Sequence, residues 1–106
     1  MISDIQKQVR VSNRKCKSYV QALVPFKGSN LEGIFIGSLY VVLSYGWYPV
    51  LVRDKTRAQW YENKEGYSPS TKRQISEARP ECVPIFPVSY EEIKQIIGGQ
   101  NVATKC

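Results

Sequence analysis

The stretch Leu39–Tyr61, LYVVLSYGWYPVLVRDKTRAQWY, decides the predicted fold. It contains the longest apolar run of the chain, both tryptophans and four of the seven tyrosines. Just before it, Gly37–Ser38 has the composition of a two-residue hairpin turn, because glycine supplies the positive φ that such a turn needs. Gly46–Pro49 predicts a turn or bulge, and residues 54–57 predict another turn. Connections this short join antiparallel neighbours, so the stretch predicts the middle of an antiparallel sheet.

The predicted sheet is a four-stranded antiparallel meander, with strands at residues 33–36, 39–45, 50–53 and 59–62. The second of these strands is apolar on both faces apart from Ser44, which predicts a central position covered from both sides. A later apolar run, Val83–Val88, can form an edge strand at most, because Pro84 and Pro87 each remove a ladder donor.

Helices are predicted on both sides of the meander in the chain. Residues 3–23 carry apolar side chains at helical spacing and predict an N-terminal helix that Pro25 ends. A short helix to about Ala78 is predicted next, and two caps remain open for it: Ser68 with a proline at the first helical position, or Ser70.

A last helix is predicted after Ser89–Glu92, which has the S-x-x-E pattern of a capping box. Its apolar side chains include Ile93 and Ile96, and Gly98–Gly99 is expected to end it. Residues 100–106 are expected to be a frayed tail. The sequence therefore predicts one α+β domain over residues 1–106, with an N-terminal helix, the meander, and two short C-terminal helices packed on the sheet.

Charge and composition bound the function. The chain has 15 Lys+Arg against 9 Asp+Glu, a net charge of +6, and no histidine. The positive charge favours an acidic partner such as nucleic acid, an anionic surface or an acidic protein, although an ordinary basic protein is the alternative. The absence of histidine excludes Ser-His and Cys-His nucleophile pairs.

The cysteines and carboxylates give no sign of a metal site or of catalysis. Cys16, Cys82 and Cys106 are odd in number and far apart, which argues against a zinc knuckle and for a reducing compartment. No carboxylate pair has a spacing typical of acid–base chemistry, and no Walker-type phosphate loop is present. We therefore expect a non-enzymatic protein without cofactor or metal.

The chain shows no targeting signal. Its N-terminal residues lack the apolar core of a signal peptide, and no stretch approaches the roughly 20 apolar residues of a membrane span. These features predict a soluble cytoplasmic protein.

Residues 40–80 resemble a family of small proteins found mostly in bacteriophages and mobile elements. The family pattern is Y-V-V-Y-S-Y-G, a proline, W-Y-x-N, then K-Y-S-x-T-T-S-K-H and R-P. The matching residues are Tyr40, Val41, Val42, Ser44, Tyr45, Gly46, Pro49, Trp60, Tyr61, Asn63, Tyr67, Ser68, Thr71, Arg79 and Pro80. The resemblance implies a phage-type accessory protein acting in a host cell, and the family has no assigned activity. The family's histidine falls at Gln74, whose amide cannot titrate near neutrality.

Three groups of residues are candidate binding sites. Backbone N–H groups at a helix start beside hydroxyls and cations predict an anion site, in the segment that holds Tyr67, Ser68, Thr71, Lys72, Arg73 and Arg79. An ordinary capped surface helix is the alternative. The N-terminal helix would carry four cations on one face, where they could bind phosphates: Lys7, Arg10, Arg14 and Lys17. The alternative is an ordinary helix face that contacts only solvent.

Aromatic residues interleaved with cations make the third group. Trp47 and Tyr48 lie in a turn and are expected to be exposed, whereas Trp60 is expected in the core. Rings on a sheet beside cations suit the stacking of unpaired bases, and packing in the core and its rim is the alternative. The rings concerned are Trp47, Tyr48, Trp60, Tyr61 and Tyr67, and the cations are Arg53, Lys55, Arg57 and Lys64.

The leading functional hypothesis is a module that binds nucleic acid or a host nucleoprotein complex through its basic surface. The alternative is an inhibitor or adaptor that binds a host defence protein, with the exposed aromatics as anchors. A third possibility is a small-ligand pocket between the sheet and the last helix.

Overall fold

The computed structural model describes residues 8–12, 15–65, 73, 78–80 and 83–105. They form one seven-stranded mixed sheet whose spatial order follows the chain. The strands are β1 (Val9–Arg10), β2 (Phe26–Lys27), β3 (Leu31–Ile36), β4 (Leu39–Ser44), β5 (Tyr48–Asp54), β6 (Gln59–Asn63) and β7 (Ile85–Val88). The helices are α1 (Cys16–Gln21) and α2 (Tyr90–Lys105).

Strands β3 to β6 pair antiparallel, as the short connections predict. Gly37 has a positive φ of 61° in the β3–β4 turn. In the β4–β5 turn, Tyr45 and Gly46 have φ of 55° and 79°, and the Trp47 amide donates to the Ser44 carbonyl at 3.2 Å, as in a type I′ turn. The register then shifts at Val50, a bulge that turns Val50 and the next residue toward the same core.

The predicted four-stranded antiparallel meander is nevertheless wrong, because β1, β2 and β7 extend the sheet and two pairings are parallel. β1 pairs parallel with β2, and β7 pairs parallel with β6. Each parallel pair is joined by a long connection, which is what lets a strand return in the same direction. The Lys64 amide donates to the Val88 carbonyl at 2.8 Å. The backbone N–H and C=O of Val88 therefore point toward β6. Those of the preceding residue point away from the sheet, so the N–H that Pro87 lacks costs no ladder bond.

The predicted N-terminal helix over residues 3–23 is also wrong for its described part. Val9 and Arg10 form β1, and α1 covers only Cys16–Gln21. The amide of Val11 donates to the Lys27 carbonyl at 3.0 Å, so pairing with a distant segment replaces helical bonds here. α1 then ends in a Schellman motif with a left-handed Leu23.

The last helix begins as predicted but runs further. The Ser89 amide donates to Glu92 Oε1 at 2.8 Å, and the Glu92 amide donates to Ser89 Oγ at 3.1 Å, which completes the capping box. The expected end at Gly98–Gly99 is wrong, because α2 continues to Lys105 and replaces the expected frayed tail. The other expected C-terminal helix lies largely outside the described residues; within it, Arg73 and Ala78 are helical.

The sheet has a core on each face. One core is built from α1, Ala78 and one set of strand side chains, including Tyr40, Leu51 and Trp60. The other lies between Ile93 of α2 and the alternate set of strand side chains: Leu39, Val41 and Val52. Alternate residues of β4 belong to different cores, so its predicted central and doubly covered position is confirmed.

The Tyr40 side chain lies across the neighbouring strand β3 at Gly33. Its hydroxyl donates to the Val24 carbonyl at 2.7 Å, and burial raises the pKa of the phenol, with a further increase from the nearby Cys16. A Cβ on Gly33 would meet Tyr40 Oη and would lie 2.7 Å from Phe26 Cε1. Glycine is required here by the close approach of two aromatic side chains.

Gly33→Ala is therefore expected to lower the free energy of unfolding by about 1–3 kcal/mol, the usual cost of overpacking a core. Urea denaturation measures the change. Gly98→Ala is the matched control, because its added Cβ has nothing within 4 Å and lies in α2. The control should gain about 0.5–1 kcal/mol, since alanine is the better helix former. Equal effects of the two substitutions would contradict the packing at Gly33.

The capping box predicts a pH dependence. Hydrogen bonds from the Ser89 backbone and side chain lower the pKa of Glu92, so folding favours its charged form. The stabilisation is complete above the ordinary glutamate pKa and is lost as the pH falls through the lowered value. The difference in unfolding free energy between wild type and Glu92→Gln should shrink across that acidic range. The control Glu91→Gln removes a carboxylate of the same turn that pairs with Lys94 at 3.9 Å. An identical pH profile for both variants would contradict the cap.

Candidate functional site

Four side chains form a row across one face of the sheet. Phe35 lies opposite Tyr40, Tyr40 opposite Arg53, and Arg53 opposite Trp60. Directly opposed residues in antiparallel strands point to the same face, so these side chains are neighbours. Lys55 follows Arg53 by two residues and returns to this face. We call Phe35, Tyr40, Arg53, Lys55 and Trp60 the cation–aromatic row.

Ring contacts hold this row together. The Phe35 and Tyr40 rings meet edge to face, with centroids 5.3 Å apart. Arg53 Cζ lies 5.8 Å from the Trp60 ring centroid, and Lys55 Nζ lies 5.0 Å from the Phe35 centroid. The Lys55 amide donates to the Ser38 carbonyl at 3.2 Å, which fixes the backbone beside Phe35. Two cations are thus held over aromatic rings, a geometry worth about 0.5–1 kcal/mol at exposed sites.

The two cations of the row have no carboxylate partner among the described residues. Asp54 points to the other face, and its Oδ1 accepts hydrogen bonds from the Thr56 and Arg57 amides at 3.0 and 3.2 Å. Arg53 Nε is buried and has no acceptor. An unsatisfied buried donor costs about 1–3 kcal/mol. The row therefore offers uncompensated positive charge at the surface of the sheet.

A second feature lies at the opposite end of β5, in the hairpin tip formed by Tyr45, Gly46 and Trp47. Trp47 is 52% exposed and Tyr45 47% exposed. The backbone of Tyr45 has a left-handed conformation, with φ of 55°, which is unfavourable for a residue with a bulky side chain. Its amide donates to the Asn30 carbonyl at 2.7 Å, and a shallow cleft of about 250 Å³ separates the tip from the loop that begins at Lys27.

The prediction that Trp47 and Tyr48 are both exposed is half right. Trp47 is exposed, but Tyr48 is only 6% exposed. The Tyr48 ring stacks on Tyr90 of α2 at 4.9 Å, and its hydroxyl donates to the Glu65 carbonyl at 2.6 Å. Tyr48 follows the turn as the first residue of β5, so it faces the core instead of solvent. It is a structural residue that ties the sheet to α2.

The predicted basic face of one N-terminal helix does not form. Arg10 lies exposed in β1 and Lys17 lies half-buried in α1, so the two belong to different elements. The other two cations of that prediction, Lys7 and Arg14, lie outside the described residues.

The predicted anion site around residues 67–79 is described only in part. Arg73 is exposed. Arg79 Nε and Nη2 donate to the two carboxylate oxygens of Glu62 at 2.7 and 2.8 Å. These bonds raise the pKa of the Arg79 guanidinium, which stays charged, and the Glu62 carboxylate balances that charge. The pair borders an open cleft of about 380 Å³. The remaining candidates of this site lie outside the described residues: Tyr67, Ser68, Thr71 and Lys72. The same holds for Gln74, Cys82 and Cys106.

Most described residues of the phage-type pattern have structural roles. Eight of them are buried: Tyr40, Val41, Val42, Ser44, Pro49, Trp60, Asn63 and Pro80. Asn63 is an example of such a structural role. Its Nδ2 donates to the Pro49 carbonyl at 3.0 Å, and its Oδ1 accepts from the Glu65 amide at 2.8 Å. The pattern therefore specifies packing at these positions.

Phe35 is the site residue that sequence reasoning missed. A two-residue turn at Gly37–Ser38 places residue 36 opposite 39 and Phe35 opposite Tyr40, so turn arithmetic could have found it. Its neighbours Arg53 and Lys55 were already noted as cations among aromatics. The register between strands was the missing signal.

Comparison with protein-family models, with curated proteins and with solved structures found no match. In the part of the chain that the structure describes, no helix is long and apolar enough to cross a membrane. The same residues include no group of three or more His, Cys, Asp or Glu placed to hold a metal ion.

The unpartnered Nε predicts opposite effects of one substitution at two sites. Arg53→Met keeps an unbranched side chain on Trp60 and removes the buried donor, so the free energy of unfolding should stay level or rise by up to about 1 kcal/mol. Arg79→Met is the matched control. It leaves the Glu62 carboxylate without its partner and should lose about 1 kcal/mol. Urea denaturation measures both. A loss at Arg53 as large as that at Arg79 would mean that the Arg53 guanidinium has a stabilising acceptor.

Proposed function

We propose that this protein is a non-enzymatic, phage-type accessory module that binds nucleic acid, free or within a host nucleoprotein complex, in the host cytoplasm. The observation that carries the proposal is the cation–aromatic row, where Arg53 and Lys55 lack carboxylate partners among the described residues. Phosphate groups would pair with these two cations, and binding would release counterions from the nucleic acid.

The overall charge supports the same proposal. A net charge of +6 attracts polyanions from solution and increases the rate of encounter. Phosphate contacts alone carry no sequence information, so this surface would bind many sequences with similar affinity. The proposal therefore predicts salt-dependent binding with little base preference.

The test is fluorescence anisotropy with short labelled single-stranded DNA, single-stranded RNA and duplex DNA across a salt series. Lys55→Gln should weaken binding and reduce the slope of log affinity against log salt by about one. Arg57→Gln is the matched control, because it removes the same charge from the same turn. Arg57 lies outside the row and is paired with Asp54 at 3.9 Å. It should weaken binding less.

Two outcomes would overturn the nucleic-acid proposal. One is no salt-dependent affinity above that of an uncharged control protein. The other is an equal loss in Lys55→Gln and Arg57→Gln, because net charge alone would then explain the binding.

The hairpin tip favours a second candidate function, an inhibitor or adaptor that binds a host defence protein. Its two exposed aromatics share one turn, and Tyr45 holds an unfavourable backbone conformation there. Strain of this kind is often kept where a side chain must be presented to a partner. Tryptophan and tyrosine are also the residues that contribute most to interface hot spots.

Trp47→Ala and Lys55→Gln separate the two candidates. Pull-downs from nuclease-treated host lysate should lose their specific partners in Trp47→Ala alone if the tip binds a protein. Melting curves provide the control that Trp47→Ala is folded. Retention of all partners in Trp47→Ala would exclude the hairpin tip as the anchor.

A further inference from the structure

The Phe35 ring and the Lys55 ammonium share one site in the free protein. Lys55 is exposed and its Nζ lies 5.0 Å from the ring centroid. Among the described residues the ammonium forms no ion pair, so the contact with the Phe35 ring is the interaction that holds it. The ring is half-buried against the core, and a cation–ring contact near the surface contributes about 0.5–1 kcal/mol. The ammonium can therefore be displaced from the ring at small cost.

The ring itself is held in place. It meets Tyr40 edge to face at 5.3 Å, and the Tyr40 hydroxyl is fixed by its bond to the Val24 carbonyl at 2.7 Å. The Phe35 backbone is paired within β3–β4, one residue pair from the turn. Rings held on a sheet beside cations are the platforms on which unpaired bases stack.

We propose that Phe35 stacks an unpaired base, and that Lys55 covers the ring in the free protein and moves to a phosphate when the base arrives. This inference rests on the proposed function and names its ligand as single-stranded nucleic acid. Stacking of a base on an aromatic side chain is stronger than the cation–ring contact that it replaces. The displaced ammonium gains a charge-assisted bond to the phosphate, so the exchange is favourable at both ends.

A duplex cannot make the same contact. Its bases are stacked on one another and paired, so no base face is available to Phe35. Arg53 and Lys55 would still meet its phosphates. Duplex binding should therefore be weaker than single-strand binding and should depend on charge alone.

The test compares a labelled oligothymidylate with an abasic strand of the same length and the same number of phosphates. The wild-type protein should bind the base-bearing strand at least about 5-fold more tightly, the low end for one stacked base. Phe35→Leu should bring this ratio close to one, because leucine offers no aromatic face for stacking.

Phe86→Leu is the matched control. Phe86 lies opposite Tyr61 in the β6–β7 register and is 46% exposed on the other face of the sheet. The same substitution there should keep the wild-type ratio. Should Phe35→Leu fail to fold, NMR of the wild-type protein replaces it. The Phe35 ring protons should then shift with the base-bearing strand and not with the abasic one.

The possible results separate this inference from the proposed function. Absence of binding to both strands overturns the proposed function and this inference together. Equal, salt-dependent binding of both strands leaves the proposed function standing and overturns base stacking. A base preference that persists in Phe35→Leu, or wild-type Phe35 protons that do not move, shows that Phe35 is not the platform.

Discussion

Tyr40 reaches across β3 at the one position where a side chain is missing, and much of the molecule depends on that contact. Its hydroxyl bonds to the Val24 carbonyl, which anchors the segment that follows α1 to the centre of the sheet. The tyrosine also packs against Cys16 and Phe26 in the larger core. Its other edge orients Phe35, so the same side chain supports both the fold and the proposed binding row. Gly33 makes this possible, because any Cβ there would occupy space that the two rings need.

The middle of the sheet could be predicted because its information is local. Gly37 and the residues around Gly46 define turns, and short turns determine antiparallel neighbours and their register. β1 and β2 have two residues each, too few to show any periodicity. The direction of β7 depends on a long connection, which local pattern does not report. For residues 9–11, helical spacing of apolar side chains gave the wrong element, since bonds from Val9 and Val11 to the segment at 25–27 prevailed.

The site was predictable to the same extent as the register. Arg53 and Lys55 stood out in the sequence as cations among aromatics, but only strand pairing shows that Phe35 and Trp60 flank them. Helical periodicity grouped Arg10 with Lys17, and the tertiary structure separates them. The two proposed binding surfaces lie at opposite ends of β5. The cations are concentrated at one end and the exposed aromatics at the other, so each surface can be altered without disturbing the other.

The sheet order, which follows the chain from β1 to β7, has a consequence for how the protein folds. Each of the middle strands meets its neighbour through a short turn, so most of the sheet needs little loop-closure entropy and has low contact order. Hairpins built around β4 and β5 can form within microseconds. The parallel outer strands must close longer loops, so they should join last on folding and leave first on unfolding. Native-state hydrogen exchange should therefore begin at the two margins of the sheet and reach β4 only with global unfolding.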